Sequence, residues 1–260
     1  MSVFEEYAEL YDLLYERKDY AAEASVFHSL IERHRGGART LLDLGCGTGR
    51  YEEHFADLGY DVTGMDMSEG MLESARRSEA ARKGVRFVRG DMRTMDLGRR
   101  FDVVQALFHV VSYLSDDDDV ASAFDAVRRH LSPGGIFVFD CWHGPGVLSD
   151  PPAVRVLERS RGDLKVWRIA RPVLQPASNL VDVEYTILSS RGDDAPLREI
   201  RESHRMRYFF LPELRGFLSR SGLLLVDAHP SWNPGGEIGS ADWHITVVAR
   251  GDDRNPETIP

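Results

Sequence analysis

Apolar positions recur at three- and four-residue steps through Phe4, Tyr7, Ala8, Tyr11, Leu14 and Tyr15, and again through Ala22, Val26, Phe27, Leu30 and Ile31. Two amphipathic helices are therefore expected at the start of the chain. Arg35-Gly36-Gly37 closes the second. From Thr40 to about Asp140 short apolar runs at 41–44, 61–65, 85–88, 101–104 and 135–139 alternate with helical periodicity at about 49–58, 68–82 and 117–131, the last ending at the turn signal Ser132-Pro133-Gly134-Gly135. Strand and helix in alternation predict a parallel sheet covered on both faces. A Gly/Pro-rich segment from His143 to Pro152 interrupts that rhythm. Beyond it, strands are expected at 154–159, 165–169, 180–188 and 198–208, separated by turn-prone residues at 161–163, 176–179 and 192–194. Successive strands with short connections argue for an antiparallel sheet. A helix at 212–221, a strand at 223–227, a Pro/Gly-rich loop through Gly239 and a strand at 244–249 follow. The expected division is 1–37 for the opening helices, 38–150 for the α/β core, 151–210 for the antiparallel insertion, 211–250 for the closing helix and strands, and 251–260 for a disordered tail.

Composition narrows the class. The 260 residues suit one large domain or a domain with an insertion. With 32 Lys plus Arg against 42 Asp plus Glu, the net charge is -10, without the basic footprint that nucleic acids demand. Neither nucleic acid nor an anionic membrane surface is expected as a partner. Cys46 and Cys141 stand far apart, fitting neither a disulfide framework nor a CxxC knuckle, so a reducing compartment is expected. No run approaches the roughly 20 apolar residues of a membrane span, and Glu5, Glu6 and Glu9 occupy the place of a basic secretory start. The expectation is a cytoplasmic protein, monomeric or a homodimer.

Candidate chemistry begins at Asp43-Leu44-Gly45-Cys46-Gly47-Thr48-Gly49, which follows a strand and opens a helix. Glycines there let the backbone turn sharply and approach a ligand. The spacing is GxGxG and Arg50 stands next, so the loop departs from the dinucleotide GxGxxG, and it lacks the lysine of a P-loop. Asp43, two residues before the first glycine, favours a ligand with an ammonium group over one with a pyrophosphate. That points to S-adenosyl-L-methionine. Asp116 to Asp119 are expected to cap and solvate a helix N-terminus, and no metal site is expected.

On these residues the chain resembles the class I S-adenosylmethionine-dependent methyltransferases, over roughly 38–140 and the closing strands. The resemblance implies an α/β fold: a doubly wound, mostly parallel seven-stranded Rossmann-like sheet, with the antiparallel insertion after strand five and the opening helices as a lid. It further implies that Gly45, Gly47 and Asp43 lie under the methionine portion of the cofactor. Asp66, about 21 residues after Gly45, matches the acid that binds the ribose hydroxyls. Asp91 matches the acid beside the adenine amino group, with Met67 and Met92 as apolar walls, and Leu107 ends strand four nearby. Cys46 is expected against the cofactor as a small buried packer, not as a nucleophile.

Within that family the chain is similar to enzymes that methylate nucleotide-linked deoxyaminosugars in antibiotic pathways. The residues that carry this are Tyr7-Ala8-Glu9-Leu10-Tyr11-Asp12, Lys18-Asp19-Tyr20-Ala21-Ala22-Glu23, the glycine loop, and Arg129-His130-Leu131-Ser132-Pro133-Gly134-Gly135. This similarity implies that Tyr11 and Tyr20 lie near the cofactor or acceptor. It departs after strand four, where that group tends to carry a histidine at the position of Tyr113, and at Trp142-His143-Gly144-Pro145, Trp232-Asn233-Pro234 and Trp243-His244.

In open α/β sheets the ligand lies beyond the carboxyl ends of the strands, so the acceptor should meet 107–114 and 140–146. His109, Tyr113 and His143 are the candidate catalytic residues, the two histidines as bases, with Trp142 as a further pocket residue. The expected activity is methylation of a small molecule, first of all the amine of a nucleotide-linked aminosugar or a related natural-product intermediate. The alternatives are O-methylation of a sugar or natural-product hydroxyl, including a metal-assisted form through Asp140, and a methyltransferase-like protein that binds without catalysis.

Overall fold

The structure, a computed structural model, describes residues 8–192 and 195–252. Phe4 and Tyr7 of the first expected helix, Asp193-Asp194 of the expected turn, and 253–260 of the expected tail lie outside the described residues.

The first two helices are α1 (Ala8–Leu14) and α2 (Tyr20–His34), the latter capped by Asp19, whose side chain accepts the Ala22 N–H at 2.9 Å. The core strands are β1 (Thr40–Leu44), β2 (Asp61–Asp66), β3 (Arg86–Arg89), β4 (Phe101–Ala106) and β5 (Leu131–His143), parallel throughout. Between them stand α3 (Arg50–Asp57), α4 (Glu69–Arg76), α5 (Glu79–Arg82) and α6 (Asp117–His130). After β5 come α7 (Gly144–Ser149), β6 (Arg155–Arg161), β7 (Leu164–Gln175), β8 (Leu180–Arg191) and β9 (Arg198–Phe209), and the chain returns through α8 (Leu211–Arg220), β10 (Leu223–Pro230) and β11 (His244–Gly251). The order β3-β2-β1-β4-β5-β11-β10 is the expected seven-stranded, doubly wound sheet, in which β11 runs antiparallel to both neighbours. The insertion is an antiparallel meander, β6 to β9, joined to the core where β9 pairs with Trp142 and His143 of β5.

The apolar runs are buried on both faces because successive residues take opposite sides. Leu42, Val104, Phe137 and Phe139 pack with Phe124, Leu214 and Phe217 of α6 and α8. Leu41, Val103, Ile136 and Val138 pack with Phe27, Ile31 and Phe55 of α2 and α3. A third cluster joins Leu10, Leu13 and Leu14 of α1 to Val166, Ile187 and Ile200 of the meander, so the first helix rests on the insertion.

Several boundaries differ from the sequence pattern. The helix expected over 68–82 is broken at Arg77-Ser78, where the Ser78 hydroxyl and N–H both bond the Ala75 carbonyl and draw it away from helical pairing. Residues 132–135 loop out of β5, whose register against β4 jumps from Leu131 to Ile136 while β4 advances from Phe101 to Val103. The Gly/Pro-rich stretch after β5 contains α7, with Pro145 in its first turn. β11 continues to Gly251, and the Asp252 N–H bonds the Gly222 carbonyl, so order runs past the last apolar position.

Asp102 joins the start of β4 to its surroundings. Its carboxylate accepts Arg39 N–H at 2.9 Å, Thr40 N–H and hydroxyl at 3.1 Å, and Arg35 Nη2 and Ser132 Oγ at 3.2 Å. Burial alone would raise its pKa, yet these bonds outweigh it and bring it to about 2. The folded pKa is below the ordinary carboxylate value, so the contribution is present above pH ~4 and is lost as pH falls toward ~2. Asp102→Asn should therefore cost about 1–2 kcal/mol at pH 7 in denaturant unfolding, and the difference from the wild type should shrink with acidification.

Candidate active site

The carboxyl ends of the core strands open onto a cavity of about 430 Å³. β1 leads directly into the glycine loop, whose Gly45 and Cys46 N–H groups bond the Met65 carbonyl at 2.7 and 3.0 Å. Gly45 has φ +74°, and a Cβ there would meet Val110 at 2.5 Å; Gly47 has φ +56° with nothing within 4 Å of the missing Cβ. Packing excludes a side chain at the first, and backbone conformation at the second, which leaves a bare wall to the cavity. Asp66 accepts the Gly47 N–H at 2.9 Å and the Ser68 N–H at 2.8 Å, so one carboxylate braces the loop and faces the same cavity.

Beneath the loop, Asp43 sits with Glu52 and Gln105, all buried. Asp43 Oδ1 is an acceptor without a hydrogen-bond partner, as suits an ammonium group. Burial beside Glu52 pushes both carboxyls up, Asp43 to about 7. Past β3, Asp91 is gripped by Arg93, whose Nε lies 2.9 and 3.0 Å from its two oxygens, while Arg93 Nη1 reaches Asp119 at 2.9 Å. The Arg93 guanidinium holds the Asp91 carboxyl below its usual range. Asp119, expected to be a solvated capping residue, is thus tied to the cavity wall.

The opening helices close one side. Thr48 Oγ1 donates to Asp12 at 2.6 Å, and Lys18 Nζ lies 2.6 Å from Glu23 and 3.9 Å from the Phe108 ring centroid. Tyr11, Tyr15 and Tyr20 reach the cavity from there.

The far side begins at a tight turn after β4. Phe108 and His109 have φ +65° and +67°, an uncommon conformation for residues other than glycine. The turn brings His109 to Asp140 at the end of β5: Nδ1 stands 2.7 Å from one carboxylate oxygen, and the His109 N–H bonds the other at 3.1 Å. Burial alone would raise the Asp140 pKa, but His109 outweighs it and keeps the carboxyl below its usual range. His109 stacks on His244 with centroids 4.3 Å apart. Burial, with His109 adding to it, pushes His244 down to about 4, so His244 is neutral at pH 7. Tyr113, Trp142, Tyr185, His204 and Met206 complete the wall.

The cavity gathers Tyr11, Tyr20, Asp43, Gly45, Cys46, Gly47, Asp66, Met67, Asp91, Met92, Leu107, His109, Tyr113 and Trp142 from the residues singled out by sequence. Burial pushes the Cys46 thiol up, which makes it unreactive. His143 is not among them. Its ring is buried with Nδ1 2.9 Å from the Asp242 carbonyl, and its N–H bonds the Trp243 carbonyl at 2.8 Å. It braces the loop before β11 and does not line the cavity, contrary to the expectation that it would serve there as a base. Sequence reasoning missed Tyr185, His204 and Met206 on the insertion strands. Period-two alternation along β9 places Glu202, His204 and Met206 on one face and was the available signal.

A seven-stranded doubly wound sheet with this loop and these carboxylates at its strand ends defines an S-adenosylmethionine-dependent methyltransferase. A family model described as "Methyltransferase domain" matches residues 41–135. The chain is 32% identical to the dTDP-3-amino-3,4,6-trideoxy-alpha-D-glucopyranose N,N-dimethyltransferase of Streptomyces venezuelae, covering 84% of this chain and 90% of that protein. It is 30% identical to the dTDP-3-amino-3,6-dideoxy-alpha-D-glucopyranose N,N-dimethyltransferase of Streptomyces fradiae, over 96% and 94%. The structure of S-adenosylmethionine-bound CalS10, an amino pentose methyltransferase from Micromonospora echinaspora involved in calicheamicin biosynthesis, is 29% identical with a TM-score of 0.72, over 90% and 92%. The chain belongs to the S-adenosylmethionine-dependent methyltransferases, in the group that contains these aminosugar N-methyltransferases, and S-adenosylmethionine is its methyl donor. Among the described residues no helix is long and apolar enough to cross a membrane.

Proposed function

We propose that the protein methylates the amine of a nucleotide-linked deoxyaminosugar, or of a related intermediate in natural-product biosynthesis. One observation carries the reading: a single cavity joins the glycine loop and Asp66 at one end to an aromatic chamber at the other, lined by His109 with the buried Asp140 behind it. The similarity to the Streptomyces dimethyltransferases supplies the class of acceptor.

The donor, when bound, presents an electrophilic methyl group. The chain's part is to hold both partners in line, which supplies much of the rate. Asp43 and the loop from Gly45 to Gly49 hold the amino-acid end, Asp66 the ribose hydroxyls, and Asp91 with Met67, Met92 and Leu107 the base. Tyr11 and Tyr20 cover the donor from the helical side. An amine at neutral pH must lose a proton to expose its lone pair. With Nδ1 of His109 turned to Asp140, its other nitrogen, Nε2, accepts that proton, and Asp140 stabilises the resulting imidazolium.

Methyl transfer from S-adenosylmethionine, with release of S-adenosylhomocysteine, should occur with dTDP-sugars bearing an amine and not with their hydroxyl counterparts. Turnover confined to the hydroxyl sugars would replace this reading with O-methylation. Donor binding should also strengthen as pH rises through about 7, because an ammonium favours the ionised form of Asp43. Calorimetry in buffers of differing ionisation heat should show protons released on binding below that pH. Binding without proton release would mean that Asp43 does not face the ammonium.

A further inference from the structure

α3 buries a glutamate that the transfer described above leaves unused. Alternation along β1 turns Asp43 to the same face as Leu41, the face that α2 and α3 cover. Gln105, its neighbour across the β1–β4 ladder, takes that face together with Val103. The first turn of α3 stands over them, and Tyr51, Glu52 and Phe55 are its buried residues. Glu52 therefore meets Asp43 inside a largely apolar layer, where it is 0% exposed. Neither oxygen of Glu52, nor Asp43 Oδ1, receives an N–H or O–H from the protein.

A buried carboxylate without a donor or a cation is costly, and two side by side cost more. Two carboxylates only accept, so neither can serve the other; with one hydrogen between them, one becomes the donor of the other. The groups that press on the pair from other elements are the Asp66 and Asp140 carboxyls and, beside Glu52, the Cys46 thiol, all acids themselves. Burial and the neighbouring Asp43 charge push Glu52 up, while the bond from Glu52 works against the rise that burial gives Asp43. The hydrogen thus belongs on Glu52 and the charge on Asp43, the member of the pair that lines the cavity.

We propose that Glu52 is a neutral, hydrogen-bearing partner of Asp43, and that it holds the pair at a single negative charge matched to the one ammonium of the donor. Asp43 touches the donor; Glu52 is a positioning residue that acts through it. The inference rests on the placement of the ammonium at Asp43, and adds to it the reason a second buried acid supports that end of the cavity without overcharging it. One ammonium then meets one net charge, and no buried carboxylate is left uncompensated.

Glu52→Gln keeps a hydrogen for Asp43 and has no proton to lose. Its Kd for S-adenosylmethionine should stay within about twofold of the wild type, with affinity still rising through about pH 7. Glu52→Leu fills similar space in the apolar layer and offers no hydrogen. The ionised form of Asp43 then loses a bond, so the midpoint of that rise should move up by about one unit and affinity at pH 7 should fall about fivefold. Titration calorimetry reads both. Weaker binding or a lower midpoint in Glu52→Gln would mean that Glu52 is itself charged, and overturns the proposal. The unliganded wild type offers an independent readout: infrared spectra at about pH 8.5, where an ordinary carboxyl is ionised, should show the carbonyl band of a buried carboxylic acid that Glu52→Gln lacks. Absence of that band in the wild type overturns the proposal without any ligand. If Asp43→Asn binds S-adenosylmethionine as the wild type does, the placement of the ammonium fails and the proposal with it. If Asp43→Asn weakens binding while Glu52→Leu keeps the wild-type affinity and midpoint, only the role given to Glu52 fails.

Discussion

Asp66→Ala should weaken binding of S-adenosylmethionine by at least two orders of magnitude, measured by titration calorimetry. Two effects combine. In the proposed reading the carboxylate takes both ribose hydroxyls, and hydrogen bonds to a charged acceptor contribute about 1.5–3 kcal/mol each. Two of them amount to roughly 3–6 kcal/mol, or about 10²- to 10⁴-fold in affinity. The same carboxylate also holds the Gly47 and Ser68 N–H groups, so its loss frees the glycine loop at the cavity wall. Asp66→Asn retains one acceptor oxygen and should fall between the wild type and the alanine variant. Unfolding should change much less than affinity, because Asp66 lies at the open end of β2, outside the apolar clusters. Unchanged affinity in Asp66→Ala would mean that the ribose lies elsewhere.

The second large effect concerns proton removal. His109→Gln should lower kcat at pH 7 about 10²- to 10³-fold, within the range of a lost general base. Donor affinity should be nearly unchanged. The variant should regain activity as pH rises, because the acceptor amine then sheds its proton to solvent without help. Asp140→Asn keeps the shape of the pair and removes the charge that stabilises the imidazolium, so it should show a smaller loss of the same kind. A His109→Gln variant with wild-type kcat across the pH range would show that the amine arrives already deprotonated and that His109 only lines the chamber. His244 does not substitute for it, since burial lowers its pKa to about 4 and leaves it too weak a base to take the proton of an ammonium group.

The parallel core was legible because its strands are buried on both faces, so runs such as Ile136-Phe137-Val138-Phe139 are continuous and the turns between elements are marked by glycine. The convergence of Gly45, Gly47, Asp66 and Asp91 on one cavity was legible for a related reason: they lie at strand ends, where sequence spacing maps onto position in space. The insertion was seen as strands, but its contribution to the cavity was not. Tyr113 and His204 are 91 residues apart, and only the pairing of β9 with the tip of β5 brings them together. The sequence pattern also carried little sign of the left-handed turn at Phe108-His109, since phenylalanine, the first of the pair, is not a residue that favours it. That turn is what separates the two candidate histidines. It delivers His109 to Asp140, while His143, four residues closer to the insertion than the end of the apolar run, is held by backbone carbonyls around Asp242.

The central claim is that the cavity joins a sulfonium donor to an amine. It is tested most directly by supplying S-adenosylmethionine labelled with carbon-13 in its methyl group together with a dTDP-aminosugar, and locating the label in the product by NMR. Labelled methyl on the sugar nitrogen is expected. Labelled methyl on a sugar oxygen with the nitrogen untouched would contradict it.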